Sequence, residues 1–148
     1  MKKILIVSDD ESIRMFYSDE LMEEGYDVIT CSAGPGIKKL IDEKRPDLIV
    51  VDISLERYGE LKILQDIRDT RHELPILVCA VYPRLKDNPM SVHADYFIVK
   101  SSKVTELKSG VQMALEGVVP FDPSGTASDP LPMKKVFMKQ TSFDWLAT

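Results

Sequence analysis

Three aspartates directly follow or end two apolar segments that have the character of buried strands. Asp9 and Asp10 come after the segment 3–8, and Asp52 ends the segment 47–52. In an open α/β sheet, ligands bind outside the carboxyl ends of the strands, near the point where the strand order reverses. If these two strands are neighbours, we expect the three carboxylates to surround one site.

Three carboxylates at one site favour the binding of a cation. Like charges that lie close together disfavour ionisation unless a positive charge lies between them. A set of oxygen ligands with negative charge suits Mg²⁺, and a carboxylate held there, such as Asp52, can also act as a nucleophile. The alternative is that these residues only cap helices and face solvent. Lys100, which ends a later apolar segment, makes that alternative less favoured.

Five apolar segments alternate with segments of helical periodicity. The predicted strands are 3–8, 27–31, 47–52, 75–80 and 96–99. The first intervening segment is expected to bury Ile13, Phe16, Tyr17 and Leu21, whose spacing is that of an amphipathic helix. Nearly continuous apolar strands indicate a parallel sheet that is covered on both faces. The predicted fold class is therefore α/β, a doubly wound sheet of five parallel strands.

The fourth predicted helix is the weakest. Pro83 and Pro89 flank the segment 84–88, which has few apolar positions at helical spacing. A proline inside a helix costs about 3 kcal/mol, so we expect this helix to be short, displaced or partly irregular.

Composition excludes several classes of protein. The chain has 148 residues, the size of one domain, and a net charge of −5, which argues against binding to nucleic acid. The two cysteines, Cys31 and Cys79, are expected to be free thiols in a reducing compartment. We find no signal peptide and no apolar stretch of the roughly 20 residues that cross a bilayer, so a soluble, cytoplasmic protein without membrane contact is expected.

Composition changes after Gly117. The segment 118–148 contains four prolines and turns apolar again near Phe137 and Trp145. We therefore predict a domain at 1–117 and a linker or tail at 118–148. Three alternatives stay open for the tail: a disordered linker, an aromatic end packed on the domain, or a segment that docks on a partner or on a second copy.

In its motifs, the chain resembles the receiver domain of two-component response regulators over about residues 1–117. The resemblance rests on the acidic pair Asp9 and Asp10, on Asp52, on the fourth strand at 75–80, and on the segment 97–100 at the fifth strand. Each motif is weak alone, but together they occur in the right order on the right strand ends. The resemblance implies a flavodoxin-like strand order, 2-1-3-4-5.

The resemblance also implies a set of site residues. Asp52 would accept a phosphoryl group from a sensor histidine kinase or a phosphotransfer protein. Mg²⁺ would be bound by Asp52, by Asp10 directly, by Asp9 through water, and by the backbone carbonyl of Ser54. The residues implied to bind the phosphoryl group are Lys100, Cys79 and Ala80.

A conformational switch is implied at Cys79 and Phe97, which would move inward after phosphorylation. The family consists of signalling proteins rather than enzymes, so the output is expected to be contact with a downstream protein target. The resemblance leaves a homodimer open, and within this chain no nucleic acid is expected as a partner.

The sequence departs from the family at several positions. Cys79 stands where threonine or serine is usual, and a thiol is only a weak hydrogen-bond donor. Ser101 replaces a proline that often follows a cis bond, and Glu56 replaces another proline. These departures keep open an alternative, a degenerate receiver that acts as a phosphorylation-independent interaction module.

A third interpretation is a Mg²⁺-dependent phosphatase with an aspartyl nucleophile. Such folds usually carry two aspartates, separated by one residue, on the first strand. Residues 8–11 read Ser-Asp-Asp-Glu and do not supply that arrangement.

Overall fold

The computed structural model describes residues 1–34, 36–53, 58–81, 93–99, 104–117 and 136–137, with the backbone alone at 58–61 and at 136–137. The predicted fourth helix, at 84–88, lies outside these ranges. Within them, no helix is long and apolar enough to cross a membrane.

One parallel sheet forms the centre of the molecule. Its strands are β1 (Lys3–Val7), β2 (Asp27–Cys31), β3 (Leu48–Ile53), β4 (Ile76–Ala80), β5 (Tyr96–Val99) and β6 (Val136–Phe137). Their spatial order is β2-β1-β3-β4-β5-β6, and each neighbouring pair is parallel. The predicted order of the first five strands is thus confirmed.

The sixth strand comes from the segment that was expected to be a tail. Val136 pairs with Tyr96 and Phe137 pairs with Phe97. An exposed edge strand presents unpaired backbone groups, and a neighbouring strand gives them partners. The backbone of these two residues therefore joins the edge of the sheet, and the three alternatives for the tail stay open. The proposed boundary at 117 stays a prediction.

Four helices are described, and sequence signals set several of their ends. They are α1 (Glu11–Glu23), α2 (Ile37–Lys44), α3 (Tyr58–Thr70) and α4 (Val104–Glu116). Asp10 caps the start of α1 by accepting a hydrogen bond from the Ile13 amide. Gly25, with φ 96°, follows the end of α1, and Arg45, with φ 48°, ends α2 before Pro46.

Alternate residues of each strand face opposite layers. On β1, Ile4 and Ile6 lie in one core cluster with residues of α1 and α4, whereas Leu5 and Val7 lie in another with residues of α2 and α3. This alternation decides which helices can reach a given side chain at the end of a strand.

Phe16 does not belong to the core, contrary to the prediction. Its side chain is 50% exposed, whereas Leu21 is fully buried and Tyr17 packs against the core. Successive residues of a helix point about 100° apart, so the stripe through Tyr17 and Leu21 turns Phe16 away from the sheet. Met15 and Met22 are exposed beside it on the outer side of α1.

Arg68 ties the end of α3 to the starts of two strands. Its guanidinium donates to the carbonyl of Leu74 at 2.7 Å, to that of His93 at 2.7 Å and to Asp95 Oδ2 at 2.8 Å. The same Asp95 oxygen accepts a hydrogen bond from the amide of Ile76, the first residue of β4, at 3.0 Å. One largely buried ion pair thus fixes the spacing of α3, β4 and β5.

Replacing Arg68 tests this connection. Arg68→Met removes four charge-assisted hydrogen bonds at Leu74, His93, His72 and Asp95 while keeping an apolar stem. The free energy of unfolding should fall by about 2–4 kcal/mol, measured by urea denaturation. Lys39→Met is the matched control, because the Lys39–Glu43 pair is long, at 3.9 Å, and exposed. Its change should stay within about 0.5 kcal/mol, and an equal change in both variants would contradict the role of Arg68.

Candidate functional site

Asp52 is a buried carboxylate at the carboxyl end of β3. It is only 7% exposed, although it is charged. Val50 and Leu48, two and four residues earlier, lie in the core cluster beneath α1 and α4. Because side chains alternate along a strand, Asp52 faces the same layer. A buried carboxylate requires hydrogen-bonding partners to remain charged.

Ser8 supplies one of those partners. Its hydroxyl donates to Asp52 Oδ2 at 2.8 Å and accepts a hydrogen bond from the Asp10 amide at 3.1 Å. Ser8 is 1% exposed and directly follows β1, the neighbour of β3. Ser8 is not among the site residues that the sequence predicted. Its position two residues after Ile6, on the same face of the strand, was the available signal.

The carboxylates of Asp9 and Asp10 bind backbone amides. Asp10 Oδ1 accepts from the Ile13 amide at 3.1 Å, and Asp9 Oδ1 accepts from the Ala33 amide at 2.9 Å. The first bond caps α1, and the second holds the loop after β2 against the end of β1. Both aspartates are exposed to solvent.

The backbone brings the three aspartates to one edge of the sheet, while their side chains face separate partners. Val7 pairs with Val51, so Asp9, Asp10 and Asp52 all lie just beyond or at the carboxyl ends of neighbouring strands. In the described part of the chain, no group of three His, Cys, Asp or Glu side chains is placed to hold a metal ion. The roles predicted for these residues as metal ligands therefore stay predictions.

The chemistry of these donors fits Mg²⁺. A carboxylate has two oxygens and about four lone-pair sites, so a single amide donor leaves acceptor capacity at Asp9 and Asp10. All the side-chain donors are oxygens, which Mg²⁺ prefers, and the exposure of Asp9 and Asp10 gives room for the waters that Mg²⁺ retains.

Arg14 adds a positive charge to this edge of the sheet. Its guanidinium donates to the backbone carbonyl of Ser8. Burial raises the pKa of the nearby Cys31 thiol, and the positive charge of Arg14 lowers it. Burial is the larger effect, so the thiol stays protonated. Neither Cys31 nor Cys79, both of which the structure describes, is in a disulfide bond, as the sequence predicted.

The two predicted switch residues lie on opposite faces of the sheet. Cys79 of β4 pairs with Asp52 and belongs to the core beneath α1 and α4. Phe97 of β5 is fully buried in the core on the other face. Ala80 pairs with Ile53 and is also buried. Two further predicted site residues, Lys100 and Ser54, lie outside the described residues.

Tyr17 of α1 packs against the core cluster that also contains Cys79. Burial is the largest cause that raises the pKa of this phenol far above its usual range. The hydroxyl therefore stays protonated. Helical spacing predicted that Tyr17 faces the core, and the structure agrees.

This combination of a 2-1-3-4-5 sheet and a buried carboxylate near the carboxyl end of β3 is found in a known family. Residues 4–112 match the response regulator receiver domain. The chain belongs to this family, as the resemblance in its motifs predicted. The family is one of signalling modules in two-component systems.

The most informative relatives are response regulators. The chain is 32% identical over 116 residues to the alkaline phosphatase synthesis transcriptional regulatory protein PhoP of Bacillus subtilis, covering 77% of this chain and 48% of PhoP. It thus spans about half the length of that curated relative.

Two solved structures are similar in fold and sequence. One is the response regulator TrrA of Thermotoga maritima in complex with Mg²⁺ and BeF, with a TM-score of 0.65, 32% identity and coverage of 77% of this chain and 99% of TrrA. The other is TrrA in complex with the histidine kinase ThkA, with a TM-score of 0.64, 30% identity and coverage of 78% and 99%.

Removing the Ser8 hydroxyl tests how Asp52 is held. Ser8→Ala removes the hydroxyl that donates to buried Asp52 Oδ2 and accepts from the Asp10 amide. The free energy of unfolding without added metal should fall by about 1–3 kcal/mol, measured by urea denaturation. Ser12→Ala, at an exposed position on α1, is the matched control. If both variants unfold at the same urea concentration, the Ser8 hydroxyl does not stabilise Asp52.

Proposed function

We propose that Asp52 accepts a phosphoryl group from the phosphohistidine of a sensor histidine kinase or a phosphotransfer protein. The observation that carries this proposal is the buried Asp52 carboxylate at the carboxyl end of β3 in a receiver fold, held by Ser8 at 2.8 Å. The complex of the related TrrA with a histidine kinase supports a kinase as the donor.

The transfer is a displacement at phosphorus. A lone pair of the Asp52 carboxylate attacks the phosphorus atom, the phosphorus–nitrogen bond breaks, and its electrons return to the imidazole of the donor. Little covalent help is needed, because positioning and charge neutralisation do most of the catalysis. The Ser8 hydrogen bond fixes one oxygen of the carboxylate and thereby the direction of the other.

Charge neutralisation would come from a cation and from nearby donors. Asp9, Asp10 and Asp52, with the backbone carbonyl of Ser54, would hold Mg²⁺, which lets an anionic nucleophile and an anionic donor approach each other. The TrrA complex with Mg²⁺ and BeF supports this metal. The proposed contacts to the phosphoryl oxygens come from Lys100, Cys79 and Ala80.

The proposed output is a change at β4 and β5 that a downstream protein reads. A phosphoryl group adds about 1.5–2 negative charges beside Cys79, the residue that pairs with Asp52. Phe97 lies on the neighbouring strand and on the other face, so a shift of β4 and β5 would repack both cores. Phe97 also pairs with Phe137, so β6 lies beside the proposed switch residue.

The phosphoacceptor is tested by intact mass. Incubation with Mg²⁺ and acetyl phosphate, or with a phosphorylated kinase domain, should add the mass of one phosphoryl group to the wild type and none to Asp52→Asn. Asp47→Asn is the matched control, because Asp47 lies at the opposite end of the same strand, where it accepts from the Lys3 amide at 2.8 Å. An adduct on Asp52→Asn, or none on the wild type, would overturn the proposal.

The metal site is tested by a substitution that preserves the helix cap. Asparagine caps helices as well as aspartate does, so Asp10→Asn should leave stability without metal nearly unchanged. It removes a charged ligand, and the affinity for Mg²⁺ should fall at least about tenfold, measured by calorimetry and by the Mg²⁺-dependent rise in melting temperature. Asp47→Asn should bind Mg²⁺ like the wild type. Unchanged affinity in Asp10→Asn would exclude this residue as a ligand.

A further inference from the structure

The hydrogen bond between Ser8 and Asp52 joins two buried side chains. Ser8 Oγ and Asp52 Oδ2 are 2.8 Å apart. The same Ser8 oxygen accepts a hydrogen bond from the Asp10 amide at 3.1 Å, which fixes the orientation of the hydroxyl. The backbone carbonyl of Asp10, at 3.5 Å, is too distant to be a good acceptor. The single hydroxyl proton of Ser8 is therefore directed at Asp52 Oδ2.

The oxygen that accepts this bond changes its charge during the proposed phosphoryl transfer. In the free carboxylate, both oxygens of Asp52 share one negative charge. In the acyl phosphate, one oxygen carries the phosphoryl group, and the oxygen that stays bonded to Ser8 becomes a neutral carbonyl oxygen. A hydrogen bond to a charged acceptor is about twice as strong as one to a neutral acceptor. Ser8 therefore stabilises the free carboxylate more than the phosphorylated form.

We infer that Ser8 shortens the lifetime of the phosphoryl group on Asp52 and lowers the phosphorylated fraction at equilibrium. This inference rests on the proposed function and adds a form of regulation to the same site. Ser8 acts on the reaction through the Asp52 carboxylate, as a positioning residue that favours the return to the unphosphorylated state. The hydroxyl after β1 thereby limits how long a signal lasts.

The step that ends the signal is hydrolysis of the acyl phosphate. A lone pair of a water oxygen attacks phosphorus, the bond between phosphorus and the Asp52 oxygen breaks, and its electrons return to the carboxylate. Both protons of the water leave with inorganic phosphate. The negative charge that develops on the leaving carboxylate is shared by Oδ2, where the Ser8 hydroxyl is already in place to stabilise it.

The rate of hydrolysis tests this role in the full chain. Each protein is phosphorylated with acetyl phosphate and Mg²⁺, the reagent is removed, and the adduct is followed by intact mass. The adduct on Ser8→Ala should last about three to ten times longer than that on the wild type, the difference between a hydrogen bond to a charged oxygen and one to a neutral oxygen. Ser12→Ala, at an exposed position on α1, is the matched control and should lose its adduct at the wild-type rate.

An equilibrium measurement distinguishes this role from a purely structural one. Beryllofluoride, an analogue of the phosphoryl group, bonds to one carboxylate oxygen and withdraws charge from the other. In the presence of Mg²⁺, Ser8→Ala should bind beryllofluoride about three to ten times more tightly than the wild type, although it has lost a hydrogen bond. A serine that only supports the fold predicts the opposite, because a poorly held carboxylate binds the analogue more weakly.

Two further substitutions separate hydrogen-bond donation from packing. Ser8→Thr keeps the hydroxyl and should keep the wild-type lifetime of the adduct. Ser8→Cys fills the site with a thiol, which is a weak donor, and should lengthen the lifetime as alanine does. It covers the case in which Ser8→Ala folds poorly, and circular dichroism establishes that each protein is folded at the temperature of the assay.

The outcomes distinguish this inference from the proposed function. If the wild type forms no adduct on Asp52, the proposed function fails. If the wild type forms an adduct and the folded alanine and cysteine variants lose theirs at the same rate or faster, only the role of Ser8 fails. Weaker beryllofluoride binding by these variants, or a long-lived adduct on Ser8→Thr, also overturns the role of Ser8 alone.

Discussion

The arrangement of the whole site depends on one buried carboxylate being held at the end of a parallel strand. Asp52 lies among apolar side chains, where an isolated charge would be strongly disfavoured. The hydrogen bond from Ser8, which follows β1, stabilises the buried carboxylate on β3. Ser8 in turn accepts a hydrogen bond from the amide of Asp10, the cap of α1. One hydroxyl therefore links the proposed acceptor, the first strand and the first helix.

Alternation along the strands divides the site between two cores. Asp52 and Cys79 face α1 and α4, whereas Phe97 faces α2 and α3. Because β4 and β5 are directly paired, a displacement of Cys79 with its strand would also displace Phe97. Interiors packed this closely respond by repacking rather than by gradual deformation. The position of β6 beside Phe97 extends the same connection to the tail.

The departures from the family concern the surroundings of the proposed phosphoacceptor, Asp52, rather than the carboxylate itself. Cys79 pairs with Asp52 from β4 and offers only a thiol, which is a weak hydrogen-bond donor. The Asp52 carboxylate itself is buried near the end of β3 and accepts a hydrogen bond from Ser8.

The sequence by itself determined the five parallel strands and the position of Asp52 at the end of the third, because apolar strands, helical spacing and residues such as Gly25 and Pro46 act locally. The order of the strands came from the resemblance to the family. The prediction that Phe16 is buried was wrong, since helical spacing does not decide which of several neighbouring apolar residues on a helix face the sheet. Only the tertiary structure decided that Ser8 holds Asp52 and that β6 joins the edge of the sheet. These contacts join segments far apart in the chain, and side-chain hydrogen bonds across a sheet depend on strand register and burial, which single-residue patterns do not contain.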